Sequence, residues 1–142
     1  MPAKITPITS GRRPSTAAQS VVQRILNRRP FPVLLPEDVL DFIAFRTAII
    51  DRFTPHSPED VVSVLDYVDL VWRMRRIAFA EAELINLEFE RTGAGAAAFE
   101  RVFSSAALST LYRAEDVCSR RLASLGPCLE RLAKEKRRPE AA

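Results

Sequence analysis

Eight positions near the C-terminus, Leu108, Leu111, Glu115, Cys118, Leu122, Leu125, Leu129 and Leu132, succeed one another at steps of 3, 4, 3, 4, 3, 4 and 3 residues. That spacing puts all of them on one stripe of an α-helix for about three and a half heptads. Burying a leucine side chain is worth about 1.5–3 kcal/mol. A stripe this long therefore demands a partner helix, and the chain supplies one upstream.

That partner starts at Ser57-Pro58-Glu59-Asp60. A serine N-cap, a proline at the first helical position and an acid two residues later make a strong start signal. No breaker follows until Gly93, which predicts a helix over 58–91. Its apolar stripe reads Val61, Leu65, Val68, Trp72, Arg75, Phe79, Ala82, Asn86 and Phe89. Thr92-Gly93-Ala94-Gly95 reads as a tight loop, so the ladder helix, expected over 97–137, folds back antiparallel. In the resulting register Ala82 faces Leu108, Phe79 faces Leu111, Trp72 faces Cys118, Val68 faces Leu122, Leu65 faces Leu125 and Val61 faces Leu129. It also sets Arg75 against Glu115, the only charges in either stripe. A paired charge in a helix seam can fix register, so the two are expected to form a structural ion pair. Gly126-Pro127 predicts a kink in the ladder helix.

A shorter helix is expected over 37–53. Pro36 pre-sets its first turn, Glu37 and Asp38 complement the positive end of its dipole, and Thr54-Pro55 stops it. Val39, Phe42, Ile43, Ile49, Ile50 and Phe53 form its apolar face, widened by Leu40 and Phe45. The expected fold is all-α. A long antiparallel hairpin (58–91 and 97–137) carries the shorter helix on one side, giving a three-helix, coiled-coil-like bundle over residues 37–138. One short helix cannot cover two helices of about 50 Å. Phe99, Val102, Phe103 and Leu108 are therefore expected to form an uncovered surface that favours a homo-oligomer or a partner protein.

Residues 1–36 differ in character. They hold six of the ten prolines and the cations Lys4, Arg12, Arg13, Arg24, Arg28 and Arg29, with no acid. The remainder carries 15 basic against 18 acidic residues. A largely disordered basic arm is expected, with a short helix at 16–29. Phe31, Val33, Leu34 and Leu35 are expected to dock on the body. Arg12, Arg13, Arg24, Arg28 and Arg29 are the candidate contacts to a nucleic-acid backbone or other anionic surface.

No arrangement for catalysis or metal binding stands out. His56 is the lone histidine, in a Pro-rich turn. Without a second histidine or a CxxC pair, zinc has no ligand set. Glu81, Glu83, Glu88 and Glu90 lack the Glu-x-x-His of di-iron bundles. Gly93-Ala94-Gly95 follows a helix and lacks the lysine of a phosphate loop. Arg73 and Arg76 beside Trp72 read as surface ion pairs around the seam residue Arg75, with Asp69 placed to meet Arg73. Cys118 and Cys128 are about 15 Å apart along one helix, too far to bond to each other, and are expected to be reduced. No run of 18 apolar residues predicts a membrane span.

Leu35-Pro36-Glu37-Asp38, the run from Leu70 to Arg76, and the ladder with Leu111-Tyr112-Arg113 resemble a group of small bacterial helical proteins of no assigned activity. In that group an LPxED-like helix start precedes a W-R-x-R-R helix and a last helix bearing an R-Y-E-like stretch. Here the last element reads Tyr112-Arg113-Ala114-Glu115. The resemblance spans residues 34–133 and implies a bacterial cytoplasmic protein. It carries over no functional residues. The expected function is a non-enzymatic, self-associating helical interaction module without a cofactor. The alternative is a small nucleic-acid-associated protein that grips phosphate with its basic arm.

Overall fold

A computed structural model describes Ile25 and residues 37–93 and 95–138. The described residues form four α-helices and no strand: α1 (Val39–Phe53), α2 (Pro58–Thr92), α3 (Ala96–Phe103) and α4 (Ala106–Arg137). None is long and apolar enough to cross a membrane. Apart from Ile25, which is helical and half-buried, the expected arm with its short helix and the docking of Phe31, Val33, Leu34 and Leu35 lie outside the described residues.

Each start has a local cause. Asp38, in extended backbone, caps α1 by accepting from the Leu40 amide at 2.8 Å and the Asp41 amide at 3.4 Å. The helix therefore begins two residues later than expected, which places Glu37 outside it. Ser57 caps α2 through the Asp60 amide at 3.1 Å, with Pro58 in the first turn. At the other end of α1, Thr54 adopts φ 43°, ψ 60° and donates its amide to the Ile50 carbonyl. That left-handed conformation is strained for a β-branched residue.

The ladder helix differs from expectation at one point. It is interrupted at Ser104–Ser105, so 96–137 is two helices. Ser105 has extended backbone and its hydroxyl accepts from the Leu108 amide at 3.2 Å, a new N-cap that starts α4. In contrast, α4 continues as an unbroken helix through Pro127.

The contacts between α2 and α4 join opposite ends. Asp60 at the start of α2 meets Arg131 near the end of α4, and Glu81 meets Tyr112. Glu88 near the end of α2 meets Arg101 on α3. The two long helices thus run in opposite directions. Every rung of the ladder is buried or half-buried, and Leu108 and Leu132 are fully enclosed. One core cluster joins Phe53, Val64, Leu129 and Leu132 where α1, α2 and α4 meet. A second joins Phe42 to Val68 and Trp72 between α1 and α2, with the Phe42 and Trp72 rings edge-on at 5.0 Å.

These clusters show that α2 has two working faces. Val68 and Trp72 turn toward α1, and Val64 lies where α1 and α4 both reach it. Leu70 opens a different stripe, continued by half-buried Met74, Ile77, Glu81, Leu84 and Glu88, and this one meets α4 and α3. Phe79, Ala82 and Asn86, expected in the seam, are exposed instead. They prolong the α1-facing stripe past the point where α1 begins.

Candidate interaction site

Arg75 lies on that prolonged stripe. No ion pair joins it to Glu115. Arg75 is exposed, with its guanidinium 4.9 Å from the centre of the Trp72 ring, while Glu115 is half-buried on α4. The expected seam pair fails because the two residues occupy different faces of the assembly. The cation–π contact that forms is worth about 0.5–1 kcal/mol at an exposed site. The neighbouring arginines diverge as well. Arg73 is exposed, and Arg76 makes a bidentate pair with Glu37, Nε to Oε1 at 2.5 Å and Nη2 to Oε2 at 2.8 Å. Glu37 reaches Arg76 from just before the helix that Asp38 caps.

Trp72, Arg75, Arg76 and Phe79 of α2, with Glu37, Asp38 and Asp41 at the start of α1, line an open, mostly apolar cleft of about 510 Å³. Trp72 is only 4% exposed, and its Nε1–H has no hydrogen-bond partner. A buried donor without an acceptor costs about 1–3 kcal/mol, so this indole marks a place that an acceptor would satisfy. Phe79 is 68% exposed at the cleft edge. The sequence contained the signal for this site: a partner helix of 15 residues beside one of 35 leaves part of a shared stripe bare.

A second apolar surface lies at the α2–α3 end. Phe99 and Phe103, 43% and 53% exposed, stack with ring centres 6.2 Å apart, and Phe99 also meets Phe89 edge-on at 5.0 Å. Val102 and Leu108 were expected on the same surface. Both are core residues, at 5% and 0% exposure. On an eight-residue helix, Ala98 and Val102 face inward together because they are one turn apart, which sends Phe99 and Phe103 outward as the adjacent pair. Glu88 anchors this end: it accepts from Arg101 Nε at 2.5 Å and from Arg91 Nη2 at 3.1 Å, and these hydrogen bonds hold its carboxyl below the usual range.

At the opposite end Asp60 is buried, beside Ser57, Arg131 and Cys128. Burial opposes its charge, but hydrogen bonds with Arg131 and Ser57 outweigh that and lower its pKa. Tyr112 donates to Glu81 at 2.9 Å, and that bond to a carboxylate raises its pKa. Cys118 is buried and Cys128 half-buried, and both are free thiols. Among the described residues no three His, Cys, Asp or Glu side chains group to hold a metal ion, and His56 is exposed in the α1–α2 turn. Arg12, Arg13, Arg24, Arg28 and Arg29 lie outside the described residues.

Compared with protein-family models, with curated proteins and with solved structures, the chain matches none.

Proposed function

We propose that the chain is a non-enzymatic interaction module, a three-helix, coiled-coil-like bundle that self-associates through the Phe99–Phe103 face of its hairpin. The observation that carries this reading is the stacked, solvent-facing pair itself. Two phenylalanines stacked on each other, the first also edge-on to Phe89, offer large apolar area with little side-chain freedom left to lose. Exposed aromatic pairs on a rigid element are the composition expected of an interface centre. The resemblance to small bacterial helical proteins accords with a cytoplasmic setting.

Sedimentation velocity on the full chain tests it. At tens of micromolar, the wild-type protein should sediment as a dimer or larger, and the Phe99→Ser/Phe103→Ser variant as a folded monomer. Because both side chains already face solvent, the variant keeps its core. A wild-type protein that stays monomeric throughout that range removes the proposal.

A further inference from the structure

We propose that the Trp72 cleft, and the bare stripe of α2 beyond it, seat the chain's own residues 30–36. This surface is separate from the Phe99–Phe103 face. Three observations converge on that occupant.

The first is direction. Residues of α1 meet α2 in descending order: Phe53 meets Val64, Phe42 meets Trp72, and Glu37 meets Arg76. Continued past Glu37, that order points along α2 toward Phe79. Asp38 has extended backbone, φ −84° and ψ 116°, so the chain enters α1 extended rather than helical. Seven extended residues reach about 23 Å, the rise of about 15 helical residues. That length matches the stretch of α2 that α1 leaves uncovered, from Arg76 to Glu90.

The second is the orphan indole. The Trp72 Nε1–H needs an acceptor brought in by something that adds few donors of its own. Pro30, Pro32 and Pro36 have no N–H, and every residue of the segment has a carbonyl. Extended Pro-rich segments dock on aromatic-lined grooves in just this way.

The third is complementary character. Phe31, Val33, Leu34 and Leu35 are apolar, as are the floor and rim formed by Trp72 and Phe79. Arg28 and Arg29 come immediately before the segment. Glu83 and Glu90 are exposed farther along the Trp72–Phe79 stripe, where those two arginines would arrive.

Trp72 is the sole tryptophan, so its fluorescence reports on the cleft alone. In the full-length protein, Phe31→Ser/Leu34→Ser should red-shift the emission and raise acrylamide quenching severalfold, with far-UV circular dichroism unchanged. The change should be the same at every protein concentration, because the occupant belongs to the same chain. A second readout uses trypsin, which can cut after Arg28. Phe79→Asp alters an exposed side chain and spares the core, and it should speed that cleavage severalfold. A folded Phe31→Ser/Leu34→Ser variant with wild-type emission and quenching overturns the proposal. So does an effect that fades on dilution, which assigns the cleft to a second copy. Should the double variant lose its helical signal, unchanged cleavage after Arg28 in Phe79→Asp overturns the proposal by itself.

Discussion

Pro127 sits inside α4 without ending it. Its ring nitrogen cannot donate to the Ala123 carbonyl, and the four leucines around it, Leu122, Leu125, Leu129 and Leu132, supply the packing that keeps the helix whole. Pro127 is exposed, so little is lost by replacing it. Pro127→Ala should stabilise the protein by about 1–3 kcal/mol, read as a higher urea midpoint. Asp60 is the opposite case, a buried carboxylate whose charge is held by Arg131 and Ser57. Its folded pKa lies below its ordinary value of 3.8. The stability it contributes is thus complete above the unfolded pKa and is lost as pH falls through the folded one. Asp60→Asn should cost about 1–2 kcal/mol at neutral pH, discounted because Arg131 is half exposed. The gap between variant and wild-type urea midpoints should close as pH is lowered below about 4. A gap that is the same at neutral and acid pH would show that the carboxylate charge is not the cause.

Helix existence was plain from caps and breakers, because those are local: Ser57-Pro58 and Thr54-Pro55 act within a turn of themselves. The break at Ser104–Ser105 was hidden by the alanines on both sides, Ala96 to Ala98 before it and Ala106 and Ala107 after it, which suit a helix equally well. Only the second serine, as an available N-cap, marked it. The Arg75–Glu115 pairing failed for a different reason. A heptad pattern says that a stripe is covered, not which neighbour covers it, and α2 has one stripe for α1 and another for α4. Glu37 illustrates the same point. Expected in the first turn of α1, it instead precedes the helix, and its partner Arg76 lies 39 residues away on another element. This pair ties the start of α1 to the middle of α2. A double-mutant cycle with Glu37→Gln and Arg76→Met should return a coupling of about 1 kcal/mol. No coupling would mean that the hydrophobic cluster around Phe42 places α1 unaided.

At the scale of the molecule, two apolar surfaces remain where the short helices run out: the Trp72–Phe79 cleft and the Phe99–Phe103 face. Both depend on α2 and α4 lying side by side in opposite directions, joined by Asp60–Arg131 at one end and by Glu81–Tyr112 toward the other. The distance between spin labels at Glu59 and Glu135 tests this most directly, on a background with Cys118→Ala and Cys128→Ala. Labelled protein would be diluted into an excess of unlabelled protein so that only pairs within one chain are read. Side-by-side helices predict a separation within about 25 Å, since packed helix axes lie about 8–10 Å apart and the labels add to this. A separation of about 60 Å or more, as for long helices that diverge from the Gly93 loop, would contradict the fold and both surfaces built on it.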